Sequence, residues 1–365
     1  MTFTQGILDK KLKEAFFVIA NQFSSYFQEV VYRAEGIRPK TIKVQSLDPT
    51  GRAGRNRKLH LIDVVFSSDL GFHRARLFIK VFESVDKVLS EANGALQLQE
   101  WLVGLTDIKT PRLLYYSKDY QILVYEGLFA EDLENSDLAL EEKYFISGLA
   151  LSRIHGSNLK EVDIQRYYLL VDQLINQLLA IQVPERTIIP FRDSIVEEIE
   201  KKLYYSYAGS RSFGDYHPGN IMVSKNAIRQ RNTGRPSDFM EIHLIDPEFV
   251  ERDDRIDRME DVGNYFAKIA LEDYVQTGGL AKTLSFVKLF FAGYNTVFDN
   301  KNITLEGLYP SGTTLELQII LSILFDLLFI SRQENEMGSE WVLRARETRI
   351  EFINKLLARK PFSQK

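Results

Sequence analysis

Two hydrophobic periods divide this chain, and the place where one gives way to the other limits its fold more than any other feature. From about residue 40 to 82 the apolar residues fall in short runs, TIKVQSL, LHLIDVVF and RARLFIKVF, separated by turn material. Such runs, rich in β-branched and aromatic residues, mark strands. SVDKVLSEANGALQLQEWLV at 84–103 changes to helical spacing, and RLLYYSKD and YQILVYEGL then return to a strand pair ending near Glu126. After that a spacing of three and four prevails, and 141–157, 163–182, 191–208, 258–276, 280–298, 314–332 and 338–358 read as helices. One stretch, 221–250, breaks the series, with IMVSKN and FMEIHLIDPEFV as short strands around a polar insert at about 225–238. That insert reads as an exposed loop. Strands in one stretch and helices in another predict an α+β chain. At 365 residues it is long enough for two domains, with a boundary expected between 1–126 and 127–365. Leu8, Leu12, Phe16, Ile19, Phe23, Phe27 and Val30 add an amphipathic helix at 7–35 to the first.

Composition narrows the partners. A net charge near −4 and a pI near 5.9 supply no basic excess to neutralise a phosphate backbone, so nucleic acid is not an expected partner. With no cysteine, disulfides, thiolate zinc sites and a cysteine nucleophile are excluded. The opening residues lack a cationic segment followed by a clean apolar core, so no signal peptide is expected and the cytoplasm is the expected location. LQIILSILFDLLFI, at 317–330, is too short for a membrane span and carries Asp326, so it reads as a buried helix and no membrane partner is expected.

Chemistry concentrates in SFGDYHPGNIMV, Ser212 to Val223. A loop that transfers a phosphoryl group needs a carboxylate to orient the attacking hydroxyl and take its proton, and a neutral oxygen ligand for Mg²⁺ shortly after. Asp215, followed five positions later by Asn220 on a loop feeding a short strand, has the spacing of a kinase catalytic loop. The competing reading is a β-turn that merely holds an acid. In LIDPEFV, Asp246 ends an apolar strand, where a second metal-binding carboxylate belongs; taken alone, it would be a turn residue. Lys80, inside the apolar run RLFIKVF, must either reach water or find a carboxylate and a phosphate. Glu91, eleven residues on, is the chosen partner on the following helix, with Glu100 the alternative. His217 either shapes the loop or touches a substrate, and His155 in LSRIHG reads as a packed or capping residue. The run EFVERDDRIDRMED, at 248–261, either attracts a cationic substrate or is a solvated face whose own arginines partly cancel it.

In order, LFIKVF, SEANGAL, LVYEGL, LSRIHG, FGDYHPGNIMV and LIDPEFV resemble the aminoglycoside phosphotransferase and choline kinase family over roughly residues 40–335. The resemblance implies a bilobal protein-kinase-like fold, with a small β-rich lobe, a larger mainly helical lobe and ATP between them. It implies that Asp215 is the catalytic base, that Asn220 and Asp246 hold Mg²⁺, and that Lys80 binds the phosphates with Glu91 as its helix partner. Backbone around Tyr125–Leu128, including Glu126 and Leu128, would bind the adenine, and Gly51 and Gly54 in the loop 48–57 would cover the phosphates. The implied activity is transfer of the γ-phosphoryl group of ATP to a hydroxyl of a small molecule: an aminoglycoside, an amino alcohol or a sugar. Two departures stand out: Phe213 replaces the family histidine before Gly-Asp, and the phosphate loop lacks G-x-G-x-x-G. They keep open a pseudokinase that binds nucleotide or a partner without transfer; a protein kinase is a further reading, against which the lack of an activation segment ending in A-P-E weighs. Nothing in the sequence fixes the acceptor or the oligomeric state.

Overall fold

The computed structural model describes residues 36, 41–49, 57–119, 121–128, 130–156, 160–204, 206, 208–224, 241–296, 314–333 and 339–359, with backbone alone at 41–49, 57–66, 73–75, 251–254, 339 and 359. The helix expected at 7–35, Gly51 and Gly54, and the insert at 225–238 lie outside the described residues. Numbered along the described chain, the first elements are β1 (Thr41–Pro49), β2 (Arg57–Ser68), β3 (Gly71–Phe82), α1 (Val85–Trp101), β4 (Ile108–Lys109), β5 (Leu113–Ser117), β6 (Ile122–Glu126) and β7 (Ala130–Asp132). Then come α2 (Leu140–His155), α3 (Ile164–Ala180), α4 (Glu185–Leu203), β8 (Gly209–Ser212), β9 (Ile221–Ser224), β10 (Ile242–Leu244) and β11 (Glu251–Asp257). Four helices complete the described residues: α5 (Met259–Thr277), α6 (Ala281–Asn295), α7 (Leu315–Ser331) and α8 (Ser339–Arg359). Two compact units result, one of Met1–Glu131 with Met222–Val250, the other of Asp132–Ile221 with Glu251–Lys365.

The first unit is built on an antiparallel sheet in the order β1-β2-β3-β6-β5. Side chains alternate across a strand, so Phe78, Lys80 and Phe82 share one face of β3. The register Phe78↔Tyr125 and Lys80↔Leu123 brings Tyr125 and Leu123 of β6 onto that same face. Helix α1 closes over it. Its start is set by Ser84, an extended residue whose hydroxyl accepts from the Lys87 N–H at 3.4 Å. Its buried stripe, Val88, Glu91, Ala92, Ala95 and Leu98, follows the helical period. Phe82, Leu123 and Tyr125 pack with Val88, Ala92 and Ala95 into one core, joined by Phe78 and Leu113. Strand β10 pairs in parallel with β4 through Ile242↔Ile108, and the Thr110 hydroxyl donates to the Leu244 carbonyl at 2.9 Å. These contacts fix where the chain leaves β10 toward Asp246.

The second unit is mainly helical, with β11 and β8 paired antiparallel through Ile256↔Ser210 and Asp257↔Gly209. Helix α7 is buried along most of its length, and among the described residues no helix is long and apolar enough to cross a membrane. Asp326 is not stranded on it: the Arg349 guanidinium of α8 donates to its carboxylate at 2.7 Å. Helix α4 begins six residues before the expected 191, because Pro190 sits inside it rather than opening it. A proline there forfeits one backbone bond. Burial of Ile188 on the stripe it shares with Phe191, Ile195 and Ile199 offsets that loss. Close packing of α2 on α6 runs through Gly148, where a Cβ would strike the Phe290 backbone, and it brings His155 to Tyr294.

Candidate active site

In the first unit the alternation of β3 leaves Lys80 inside the core, only 2% exposed, so it is not a strand lysine facing water. A buried ammonium must be paired. It is paired twice, with Glu91 of α1 and with Asp246 just beyond β10. Glu91 is fully buried on the helix stripe that faces the sheet, and the Tyr125 hydroxyl donates to its Oε1 at 3.0 Å. Glu100 is exposed. The Lys80 ammonium also lies 5.5 Å from the centroid of the Tyr125 ring, within cation–π range. Asp246 has φ +58°, in the left-handed region that an aspartate enters only at some cost. Lysine and two carboxylates thus converge from a strand, a helix and a turn that lie far apart in sequence.

In the second unit, Asp215 to Asn220 form a loop between β8 and β9 that closes with one 3-10 turn at Pro218–Asn220. Asp261, in the first turn of α5, anchors it from below. This carboxylate is fully buried and accepts the Gly214 N–H (2.7 Å) and Ser212 hydroxyl (3.2 Å) on Oδ1. On Oδ2 it accepts the Phe213 N–H at 2.8 Å and His155 Nε2 at 3.0 Å. A carboxylate can only accept from the ring, so Nε2 carries the proton and Nδ1 accepts from the Tyr294 hydroxyl at 2.7 Å. Burial lowers the His155 pKa, outweighing the pull of Asp261, so the ring is neutral. Burial also raises the Tyr294 phenol far above its ordinary value, which keeps it a donor. Asn264, one turn further along α5, donates to the Gly214 carbonyl at 2.8 Å and accepts from the Ser322 hydroxyl at 2.5 Å.

The loop's own side chains divide by exposure. Phe213 is fully buried edge-on against Tyr216, ring centroids 5.8 Å apart, and the Tyr216 hydroxyl donates to the Ser147 carbonyl at 2.5 Å. Asp215 points outward and is exposed. Asn220 is buried, and its Nδ2 donates to the Asp215 carbonyl at 2.9 Å, tying the two ends of the five-residue spacing together. His217 accepts the Gly219 N–H on Nδ1 at 3.1 Å, and its Nε2 stands 3.8 Å from Asp215. The imidazole therefore shapes the loop, the first of the two readings left open by the sequence.

At 125–128, Glu126 bonds Arg112, receiving the guanidinium at 2.6 Å and the Arg112 N–H at 3.0 Å on its two oxygens. Its own N–H donates to the Arg112 carbonyl at 3.0 Å, and the Gly127 N–H to the Arg76 carbonyl at 2.6 Å. A ligand read by this segment is therefore read by groups other than those two amides. Leu128 is half-buried. The charged run at 248–261 is not a uniformly solvated face, since Asp257, Arg258 and Asp261 are all buried. Asp257 accepts from the Thr314 hydroxyl at 2.7 Å and the Gln318 amide at 2.9 Å. The sequence marks Asp261 as the acid that opens a helix after the motif, but not as the anchor of the loop, and it gives no part to the Tyr125 hydroxyl or to Asn264. The only signal was the position of Asp261 and Asn264 at the start of a helix following the motif.

No protein-family model matches the chain, and no curated sequence matches it either. Solved structures do. The choline kinase LicA of Streptococcus pneumoniae is similar with a TM-score of 0.52 at 15% identity, over 92% of this chain and 99% of that one. An ethanolamine kinase of Plasmodium vivax is similar with a TM-score of 0.51 at 12% identity, over 98% of this chain and 99% of that one. At such identities a likeness shows the fold, and the fold is the α+β protein-kinase-like one expected from the sequence.

Proposed function

We propose that the chain is an ATP- and Mg²⁺-dependent phosphotransferase acting on a hydroxyl of a small molecule of the amino alcohol, aminoglycoside or sugar class. The observation that carries this reading is the buried Lys80 shared between Glu91 and Asp246. Lysine held between two carboxylates on a kinase-like fold is the arrangement that receives nucleotide phosphates. The donor set also fits the metal. Mg²⁺ takes hard oxygen ligands. Asp246 offers a carboxylate, and Asn220 an amide oxygen whose nitrogen is already committed to the Asp215 carbonyl. Bound there, Mg²⁺ would neutralise phosphate charge.

In this reading Asp215, exposed on an anchored loop, orients the acceptor hydroxyl and takes its proton. The acceptor oxygen forms the new bond to the γ-phosphorus as the bond to ADP breaks. Phe213 does not argue for a pseudokinase, because the loop is braced through its main chain by Asp261.

The test is turnover of ATP with a panel of amino alcohols, sugars and aminoglycosides, for the wild type, Asp215→Asn and Asp246→Asn. Loss of a general base or of transition-state charge stabilisation costs about 100-fold or more, so both variants should fall at least that far. Wild-type turnover in either variant refutes the reading. Tight binding of Mg·ATP with transfer to no acceptor and to no protein would move the chain to the pseudokinase class.

A further inference from the structure

Helix α1 does more than supply Glu91. A Cβ built on Gly94 would fall well inside contact distance of the Pro247 carbonyl oxygen, 3.0 Å from its carbon and 3.5 Å from the Pro247 Cβ. One helical turn earlier, the Ser90 hydroxyl donates to the Glu248 carbonyl at 2.8 Å. The two carbonyls that follow Asp246 thus rest on residues 90 and 94, which are four apart and so face the same way. The Pro247 carbonyl also accepts the Val250 N–H at 3.3 Å, closing the turn. Asp246 itself has φ +58°, a conformation that persists only where its surroundings over-determine it.

We propose that Gly94 and Ser90 are positioning residues for Asp246. Gly94 admits the Pro247 peptide against the helix, Ser90 fixes the next carbonyl, and together they hold the left-handed turn that carries the Asp246 carboxylate to Lys80. The sequence shows only a glycine inside a helix, which ordinarily counts as a mild defect that alanine repairs. Here alanine must push the turn away, by a shift on the order of 1 Å, to restore ordinary van der Waals distance. The part of this inference that concerns metal rests on the assignment of Asp246 as a Mg²⁺ ligand; the part that concerns the turn does not.

Three measurements on the full chain test it, with Gly94→Ala, Ser90→Ala and the exposed helix control Asn93→Ala. Thermal unfolding without ligand should move down for Gly94→Ala and stay level or rise for Asn93→Ala. Exchange of the Val250 amide with deuterium should be faster in Gly94→Ala and in Ser90→Ala. Calorimetry with ADP should show at least tenfold weaker binding for Gly94→Ala in the presence of Mg²⁺, and unchanged binding without it. A Gly94→Ala protein that melts higher than wild type, with Val250 equally protected and ADP affinity kept, overturns the proposal. If Gly94→Ala does not fold, Ser90→Ala decides: faster Val250 exchange supports the proposal, and wild-type exchange overturns it. A wild type that binds no ADP with or without Mg²⁺ removes the nucleotide reading and the metal half with it, while the melting and exchange results still judge the turn.

Discussion

Replacing Asp261 by asparagine changes one oxygen to an amide nitrogen and nothing in size, yet the geometry leaves it no harmless orientation. Each carboxylate oxygen accepts two donors: Gly214 N–H with the Ser212 hydroxyl on one, Phe213 N–H with His155 Nε2 on the other. Whichever way the amide is flipped, its NH₂ faces a backbone N–H that cannot turn away. The serine hydroxyl can rotate and the imidazole can change tautomer, but the peptide cannot. A buried donor left unsatisfied costs about 1–3 kcal/mol, and more where the lost partner was charged. The expected loss is therefore about 3 kcal/mol. For a unit of roughly 200 residues each kcal/mol moves Tm by about 2–4 °C, so Asp261→Asn should melt about 6–12 °C below the wild type. Urea denaturation followed by circular dichroism gives the same quantity as a free energy. The control is Asp326→Asn, the same chemical change at a half-exposed pair with Arg349, where about 1 kcal/mol or less is expected. If Asp261→Asn melts within a degree of the wild type, the four-donor account of this carboxylate is wrong.

Two further outcomes are read by the same kind of measurement. Phe213→His, which restores the residue found in the resembling family, should cost about 1–3 kcal/mol in a denaturation experiment because it buries a polar ring against Tyr216. It should not raise turnover with ATP, and a more active variant would show that the loop lacks a brace. Stability should also fall as the pH drops below 6.5, the ordinary histidine value, because burial lowers the pKa of both His155 and His243 in the folded state. The unfolded chain then binds more protons than the folded one, so acid favours unfolding, by up to about 1.4 kcal/mol per pH unit for each ring. Urea midpoints between about pH 8 and 5 should show this slope. His155→Gln should reduce it, and an unchanged slope would mean that His155 does not titrate across the transition.

Much of the fold was legible because hydrophobic periods persist over long segments. The run 84–103 announced α1, and the apolar LQIILSILFDLLFI announced a buried helix. Short elements carry no such signal. Strand β4 has two residues and β10 three, too few to show alternation. Strand β11 reads ERDDRID, and its charges hid a strand whose pairing with β8 is made by main chain. Helix α4 begins earlier than expected because its apolar stripe runs on through Pro190 to Ile188. At the site, spacing alone narrowed the partner of Lys80 to Glu91 or Glu100, and the face that α1 presents to the sheet makes it Glu91. Two acidic residues on one helix differ in what they meet only once the sheet beneath it is in place.

Phe213 shows the limit of reading a motif as a set of side chains. In sequence it is the one departure in FGDYHPGN, and so the natural place to suspect a dead enzyme. In the structure the demand at that position is made by its main chain, whose N–H is met by Asp261 from another helix. The side chain has only to fill space beside Tyr216, and an apolar ring does so without needing a partner of its own. The burden moves to residues outside the motif. Asp261 must accept four donors, and His155 must stay neutral with Tyr294 fixing its tautomer. Gly94 carries a similar hidden demand in the first unit, where what matters is the absence of a Cβ against the Pro247 carbonyl. A position can therefore vary when its backbone does the work, and cannot when a distant backbone depends on its side chain. By that criterion Asp261 and Gly94 should tolerate substitution less well than Phe213.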